Sequence, residues 1–114
     1  MDNCLFCKII KGDIPSKKVY EDEYAFAFHD INPQAPIHVL VVSKTHVKDV
    51  LKGTSLKDTE LAGIIRACGR VAALTGIDQS GFRIVSNCGH DGCQSIPHLH
   101  FHVLGGRQLT ENMA

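Results

Sequence analysis

Three histidines stand at alternate positions near the end of the chain, and their spacing is the first sign of chemistry. His98, His100 and His102 are separated by Leu99 and Phe101. In a β-strand, side chains two residues apart share one face and lie about 6.5 Å from each other. The pattern predicts three imidazoles along one exposed face of a strand, with the apolar residues pointing into a core under a helix. Imidazole titrates near neutral pH, so such a row can divide the tasks of nucleophile, acid and base.

The residues alone allow three uses of this histidine row: a solvated polar face, a zinc centre with histidine ligands, or a nucleophile with proton-carrying neighbours. The loop at residues 87–95 offers glycines with amide and hydroxyl donors, which suit a phosphate or an oxyanion. A hydrolytic zinc site needs a nearby carboxylate base or a further ligand, and Asp91 is the only acid in this loop. His38, on another strand-like segment, can join the row if the two strands are neighbours.

The five cysteines are the second chemical feature. Cys4 and Cys7 form a C-x-x-C pair, Cys68 falls in a helical pattern, and Cys88 and Cys93 lie in the glycine-rich loop. Their odd number and the reducing compartment expected for this chain argue against a disulfide framework. By itself the C-x-x-C pair is only half of a metal site.

The composition is that of one globular domain. The 114 residues are 44% apolar and 21% charged, which suits a single domain over residues 1–114. Twelve basic and twelve acidic residues cancel, so neither nucleic acid nor an anionic membrane is expected as a partner. No apolar run is long enough to span a bilayer, and residues 1–10 lack a signal-peptide core, so a cytoplasmic location is expected.

The elements that must position these residues follow from periodicity and turn residues. An apolar stripe at helical spacing, with Ser55 and Asp58 as a capping box and Gly76 as a stop, predicts one long helix over residues 55–75. Also predicted are a short helix over 4–11, a loop over 30–36, a helical turn over 47–51, and strands over 18–21, 24–29, 37–43, 82–87 and 98–104. Because the strands come in runs, the fold class is α+β with a mostly antiparallel sheet.

The residues around the triad resemble the histidine triad (HIT) superfamily. His98-Leu-His100-Phe-His102-Val-Leu104 matches its H-φ-H-φ-H-φ-φ signature. The likeness extends to Asp30-Ile-Asn-Pro33-Gln-Ala-Pro36-Ile-His38, Asn87, Gln94-Ser95, Leu104-Gly-Gly-Arg-Gln108, and Phe6-Cys-Lys-Ile-Ile10 with Ile14-Pro15. The chain looks like the bacterial type of the nucleotide-binding branch, the purine nucleoside phosphoramidases. This resemblance implies a five-stranded antiparallel sheet with one long and one short helix, and a homodimer whose two sheets join into one.

The resemblance also implies a mechanism, in which His100 is the nucleophile. It attacks the α-phosphorus of a nucleoside 5′-phosphoramidate or acyl nucleotide, and water then hydrolyses the nucleotidyl-histidine. Hydrogen-bond donors neutralise the phosphate oxygens, so no cofactor is needed for catalysis. The other matching residues are His102, Asn87 and Ser95 as donors, and His98 and His38, which orient the nucleophile and move protons.

A purine nucleotide pocket is implied in the same way. Asp30 matches the residue that holds the ribose hydroxyls, for which a carboxylate is a suitable acceptor. Phenylalanine faces and aliphatic walls stack a purine without reading its edge. The residues implied to contact the nucleotide are Leu5, Phe6, Phe28, His29, Ile31, Asn87 and Gln94. Phe6 and Phe28 have plain core positions as the alternative.

Many bacterial relatives complete the C-x-x-C pair with two histidines. In this sequence the matching positions are His46 and His98, which with Cys4 and Cys7 imply a structural Cys₂His₂ zinc site. The alternative is two cysteines on a buried helix face. A zinc-bound His98 would brace the strand that carries His100 instead of moving protons.

Other functions remain open beside the hydrolase. One is a non-catalytic purine nucleotide-binding or adaptor module, against which the intact His100 argues. Another is dinucleoside polyphosphate hydrolysis or nucleotidyl transfer, as in a sister branch, against which the ending at residues 105–108 argues. Cys93 stands where many relatives carry glycine, and the tail at 109–114 lacks their Trp-Pro-Pro-Gly ending, so the leaving group is left open.

Overall fold

The chain forms one antiparallel sheet that carries a helix on each face. The computed structural model describes residues 3–112. Its elements are α1 (Leu5–Lys11), β1 (Lys18–Glu21), β2 (Ala25–His29), β3 (Ile37–Ser43), a 3₁₀ helix (Lys52–Ser55), α2 (Asp58–Thr75), β4 (Phe82–Val85) and β5 (His100–Gly105). The five strands lie in the order β1-β2-β3-β5-β4, and every neighbouring pair is antiparallel. The predicted α+β fold with one long and one short helix is confirmed.

Strand register places the triad histidines of β5 beside the middle of β3. His102 lies opposite Leu40, and His100 lies opposite Val42. The alternate positions face the other way and form the main core with α2, as the alternation predicted. This core contains Val39, Val41, Leu99 and Val103 from the sheet side and Ile64, Ala67, Cys68, Val71 and Ala72 from the helix.

Helix α1 covers the histidine face, which the sequence pattern predicted to be exposed. That prediction is wrong, because His98 and His100 are only 0% and 5% exposed. Helix α1 has apolar residues of its own to bury, Phe6 and Ile9. They form a second buried cluster with Cys4, Phe26, Phe28, Leu40 and Val42. The imidazoles therefore lie at the margin of a second core rather than in solvent.

The long helix begins at Asp58, three residues later than predicted. The expected capping box at Ser55 and Asp58 does not form. Instead the Glu60 carboxylate accepts the backbone N–H of Lys57 at 2.9 Å, and Ser55 ends the 3₁₀ helix. The helical turn predicted over 47–51 is likewise displaced to this 3₁₀ helix. Within residues 3–112, no helix combines the length and apolar character needed to cross a membrane.

Strand β5 begins at His100, although the alternation predicted a start at His98. The Leu99 N–H donates to the Val47 carbonyl at 2.8 Å, so this stretch bonds to the segment after β3. Strand β4 ends at Val85, before the predicted end at Asn87. Because both strands are shorter than predicted, irregular segments rather than paired strands lie beside His98 and His100.

Gly63 allows Tyr24 to lie against α2. A Cβ added at position 63 would come within 2.3 Å of the Tyr24 ring, whereas one added at Gly69 on the same helix would meet nothing within 4 Å. We expect Gly63→Ala to lower the free energy of unfolding by about 1–3 kcal/mol through overpacking. The control Gly69→Ala should raise it by about 0.5–1 kcal/mol through helix propensity. Urea denaturation measures both, and a stabilised Gly63→Ala would contradict this packing.

Candidate active site

A backbone carbonyl sets the tautomer of His100. Its Nδ1–H donates to the His98 carbonyl oxygen at 2.7 Å, so Nε2 keeps its lone pair. Burial lowers the pKa of His100 below its ordinary value, and the edge-on Phe6 ring, 5.0 Å away between centroids, contributes to that burial. At neutral pH His100 is therefore a neutral imidazole with a free Nε2, which is the form that a nitrogen nucleophile requires.

His38 and His102 form a hydrogen-bonded pair next to His100. The Gln34 backbone N–H donates to His38 Nδ1 at 3.0 Å, so His38 carries its proton on Nε2. That Nε2–H donates to His102 Nδ1 at 2.8 Å, which leaves the proton of His102 on its own Nε2. Burial lowers the pKa of both imidazoles, that of His102 to about 4. The site therefore sets a nitrogen lone pair of His100 beside an N–H donor of His102, with 5.2 Å between the two ring centroids.

Asp30 lies just after β2, beside this pair. One of its carboxylate oxygens accepts the Asn32 backbone N–H at 2.8 Å. The other lies 3.4 Å from His38 Nε2. The structure thus places the residue predicted to hold the ribose next to the histidines, with one oxygen turned towards them.

The residues predicted to contact the base divide between buried and open positions. Phe6 and Phe28 are buried and meet edge to face, with 5.7 Å between their ring centroids. Leu5 and His29 are exposed, and Ile31 is 92% exposed. Helix α1 and the loop after β2 therefore offer open side chains over a buried aromatic floor. Phe6 and Phe28 are core residues that also back the site.

The loop after β4 is hydrogen-bonded to the strand that carries His100. Its Ser86 hydroxyl donates to the His100 carbonyl at 2.8 Å. A Cβ at Gly92 would lie 2.6 Å from the Cys88 carbonyl oxygen, so only glycine fits this close approach. Cys93 has a φ of 60°, in the left-handed region that glycine adopts most readily. A glycine would adopt this backbone conformation with less strain than Cys93 does.

The two ends of this loop carry the predicted phosphate donors. Asn87 is half-buried and Ser95 is exposed. The side chain of Gln94, predicted to contact substrate, is hydrogen-bonded inside the loop, where its Oε1 accepts the Gly89 N–H at 3.1 Å. The structure therefore leaves Ser95 open towards solvent and shows Gln94 shaping the loop.

Four side chains from three segments meet at the start of α1. His98 Nδ1 lies 3.2 Å from Cys4 Sγ and 3.6 Å from Cys7 Sγ. His46 Nδ1 lies 3.0 Å from His98 Nδ1 and 3.3 Å from Cys7 Sγ. The ligand atoms of a tetrahedral zinc ion stand about 3.3–3.8 Å apart, given its bond lengths. The four predicted metal residues therefore form a candidate zinc site, and all their ligand atoms lie within 4.8 Å of one another.

The proton position of His98 supports metal binding. Its Nε2–H donates to the Ser43 carbonyl at 2.7 Å, so the Nδ1 lone pair faces the two sulfurs. Burial lowers the pKa of His98 to about 4, which keeps this lone pair free of a proton. His98 is thus oriented as a metal ligand, with Nδ1 towards the sulfurs and Nε2–H bonded to the Ser43 carbonyl.

A second cluster, of Asp30, His38 and His102, also lies within metal-binding distances. Its proton positions oppose a metal, however. His38 Nδ1 accepts the Gln34 N–H, so the Nε2 that faces the cluster carries a proton and has no lone pair to give. Both clusters contain histidines, but His98 presents a lone pair to the first, whereas His38 presents an N–H donor to the second.

Sequence reasoning missed the groups that set these tautomers. The carbonyls of Ser43 and His98 and the N–H of Gln34 are backbone groups, and no residue type marks them. Asp49 was also missed. It is 6% exposed, and its carboxylate accepts the Lys52 N–H at 3.0 Å. An aspartate at the start of a turn is a readable signal for such a contact.

Comparison with known proteins finds close relatives over almost the whole chain. The HIT domain family matches residues 11–109. An uncharacterised 13.2 kDa HIT-like protein of Azospirillum brasilense is 50% identical over 108 residues, which cover 94% of this chain and 88% of that protein. A 14 kDa zinc-binding protein of Zea mays is 47% identical over 109 residues, covering 93% of this chain and 84% of that protein.

Solved structures agree with the fold. A HIT family hydrolase from Clostridium thermocellum is similar with a TM-score of 0.95 and 41% identity, over 100% of this chain and 99% of that one. A histidine triad nucleotide-binding protein from Candida albicans gives a TM-score of 0.81 and 30% identity, over 98% of this chain and 87% of that one.

Zinc removal should loosen α1. This helix has only 7 residues, too few to be stable alone, and the cluster joins it to His98. We expect a chelator or Cys4→Ser to lower Tm by about 5 °C or more, which corresponds to roughly 1 kcal/mol. Both should also weaken nucleotide affinity, with less effect on the chemical step, because Leu5 and Phe6 lie on α1.

The exposed Cys93 supplies the control, since Cys93→Ser should leave Tm and metal content unchanged. Elemental analysis should find one zinc per chain in the wild type. A zinc-free protein, or a Cys4→Ser variant with unchanged melting and affinity, would contradict the assignment.

Proposed function

This chain belongs to the HIT domain family, and we propose that it hydrolyses nucleoside 5′-phosphoramidates or acyl nucleotides through a covalent nucleotidyl-histidine on His100. The observation that carries the proposal is the hydrogen bond from His100 Nδ1–H to the His98 carbonyl, which frees Nε2 for attack. The similarity to a solved HIT family hydrolase supports hydrolysis as the type of reaction.

In the first step, His100 Nε2 attacks the α-phosphorus. A bond forms from Nε2 to phosphorus, and the bond from phosphorus to the leaving nitrogen or oxygen breaks. The leaving atom takes the electron pair and receives a proton from solvent through the Ser95 hydroxyl. The His102 Nε2–H donates to a phosphate oxygen, and the bond from His38 holds that imidazole in the donating tautomer.

In the second step, water attacks the phosphorus of the nucleotidyl-histidine. The bond from phosphorus to Nε2 breaks, its electron pair returns to His100, and one proton of the water is released to solvent. A low pKa makes a neutral imidazole a good leaving group, and burial lowers the pKa of His100. The product is the nucleoside monophosphate.

Zinc at Cys4, Cys7, His46 and His98 would supply rigidity to α1 and to the turn before β5. These four residues would hold it apart from the free Nε2 of His100, since the His98 ring turns its Nδ1 towards the sulfurs. In the proposed reaction the chain's own hydrogen-bond donors carry the phosphate charge.

A purine nucleotide as ligand is supported by the carboxylate of Asp30, the buried rings of Phe6 and Phe28, and the open side chains of Leu5 and Ile31. A carboxylate oxygen beside His38 can accept ribose hydroxyls, and apolar surfaces can stack a base. The similar Candida albicans protein is named as nucleotide-binding, which agrees with a nucleotide ligand. All five cysteines are free thiols, which suits the cytoplasmic location that we infer.

The free edge of the sheet supports a homodimer. Strand β4 is an edge strand, and its Phe82 and Ile84 are 38% and 41% exposed. On α2, Ile65 is 50% exposed. An unpaired strand edge with apolar side chains is suited to a second copy of itself, which would continue the sheet across two subunits.

The nucleophile assignment predicts that His100→Ala abolishes turnover. Nucleotide binding should stay within about tenfold of wild type, ~1.4 kcal/mol, because the imidazole acts in the chemical step. Ser95→Ala should retain more activity, since one lost hydrogen-bond donor typically costs about 10²–10³ in rate.

Mass spectrometry after quenched reaction with an adenosine 5′-phosphoramidate tests the covalent step. An adduct on His100 supports the hydrolase. Substantial turnover by His100→Ala would overturn the nucleophile, and nucleotide binding with neither adduct nor turnover would indicate a non-catalytic binding module instead.

The dimer is tested by sedimentation velocity at micromolar concentration. We expect a dimer for the wild type and a monomer for Ile84→Lys, which places a charge on the free edge. Leu51→Lys is the control, since Leu51 is 70% exposed but lies outside the sheet. A monomeric wild type would contradict the proposed dimer.

A further inference from the structure

Two loops beside the histidines are joined by the side chain of Gln94. Its Nε2–H₂ group donates to the Lys48 carbonyl at 2.7 Å and to the Ile96 carbonyl at 3.0 Å. Its Oε1 accepts the Gly89 N–H at 3.1 Å. One amide thus fixes both ends of the loop that carries the phosphate donors and binds it to the segment after β3.

A buried carboxylate shapes the segment after β3 next to this junction. Asp49 is 6% exposed, and its carboxylate accepts the Lys52 N–H at 3.0 Å. Asp49 therefore stabilises the turn that follows Lys48. We name the Gln94 side chain, with its partners on Lys48, Gly89 and Ile96, the inter-loop link.

The segment after β3 also begins at the metal cluster. His46, one of the four candidate zinc ligands, lies two residues before Lys48 and within 3.0 Å of His98 Nδ1. At its other end, the loop after β4 is bound to the His100 carbonyl through the Ser86 hydroxyl. The metal cluster is therefore joined to the loop that ends at Ser95 by the backbone from His46 to Lys48 and by the hydrogen bond from Gln94 to the Lys48 carbonyl.

We propose that the inter-loop link couples zinc binding at the cysteine cluster to phosphate binding by residues 87–95, with Gln94 as the positioning residue. The proposal rests on the proposed function, in which this loop donates to the nucleotide phosphate. Bound zinc would fix His46, and His46 in turn fixes the backbone up to the Lys48 carbonyl. The Gln94 side chain is bonded to that carbonyl, so it fixes the backbone next to Ser95. Because coupling between two binding sites is reciprocal, a bound phosphate must in turn raise the affinity for zinc.

Comparing two ligands separates this coupling from any effect of α1 on nucleotide binding. Adenosine and AMP share the base and ribose that α1 contacts, but only AMP carries a phosphate for residues 87–95. We would load the protein with zinc and measure zinc affinity by competition with a chromogenic chelator, alone and with saturating adenosine or AMP. In the wild type we expect AMP to raise zinc affinity about tenfold more than adenosine does, the lower part of the range typical of coupled sites.

Two variants of Gln94 test whether the inter-loop link carries the coupling. In Gln94→Ala the difference between AMP and adenosine should fall below twofold, since the loop loses its bonds to Lys48 and Gly89. Gln94→Glu keeps the acceptor for Gly89 but replaces the donor to Lys48, so it should lose the coupling while retaining the loop. The control is Ser55→Ala, which removes an exposed hydroxyl bonded to the Lys52 carbonyl at 2.9 Å in the same segment. It should behave as wild type.

The outcomes distinguish failure of the inter-loop link from failure of the proposed function. Equal effects of AMP and adenosine in the wild type, or undiminished coupling in both Gln94 variants, overturn the link while AMP binding and the His100 adduct still support the hydrolase. AMP that binds no more tightly than adenosine to the loaded wild type overturns the phosphate site and the link together. A protein without stoichiometric zinc also overturns the link.

Discussion

His98 is the residue on which the candidate zinc site and the proposed nucleophile His100 both depend. Its ring donates from Nε2 to the Ser43 carbonyl and turns Nδ1 towards Cys4 and Cys7. Its own backbone carbonyl accepts the Nδ1–H of His100. The residue is 0% exposed, and a buried polar group without a partner costs about 1–3 kcal/mol, so these bonds also stabilise the fold.

Helix α1 gives these interactions their strength. Its Phe6 ring lies edge-on against the rings of His98 and His100, and burial lowers the pKa of both imidazoles. In that environment hydrogen bonds between neutral imidazoles are stronger than in water. The same helix carries Cys4 at its N-terminus, where the sulfur accepts the Cys7 N–H. Packing, proton positions and the candidate zinc site therefore share one small element.

The contrast between the two His-containing clusters shows what proton positions decide. Both clusters bring imidazole nitrogens within hydrogen-bond distance of each other. One faces its partners with the unprotonated Nδ1 of His98, and the other with the protonated Nε2 of His38. The protons differ in position because the Ser43 carbonyl accepts from His98 Nε2–H, whereas the Gln34 N–H donates to His38 Nδ1. Geometry of ligand atoms is thus an incomplete guide to metal binding without the hydrogen bonds behind them.

The sequence by itself determined the elements and the faces on which residues lie. The strand over residues 37–43 and the alternation of histidines with Leu99, Phe101 and Val103 were predicted correctly, as was a long helix ending before Gly76. These features follow from backbone periodicity, which repeats every two residues in a strand and every 3.6 in a helix and is therefore written locally in the sequence. The choice of His46 and His98 as metal partners came from family resemblance, since spacing alone joins Cys4 only to Cys7.

Only the tertiary structure decided that the histidine row is buried, which nitrogen of each imidazole carries the proton, and that Cys4 meets His98 across 94 positions of sequence. It also decided that the side chain of Gln94 spans two loops. The physical reason is common to all of these. Burial depends on which element packs from elsewhere in the chain, and tautomers depend on carbonyl and N–H groups that every residue type shares, so neither leaves a mark in the local sequence.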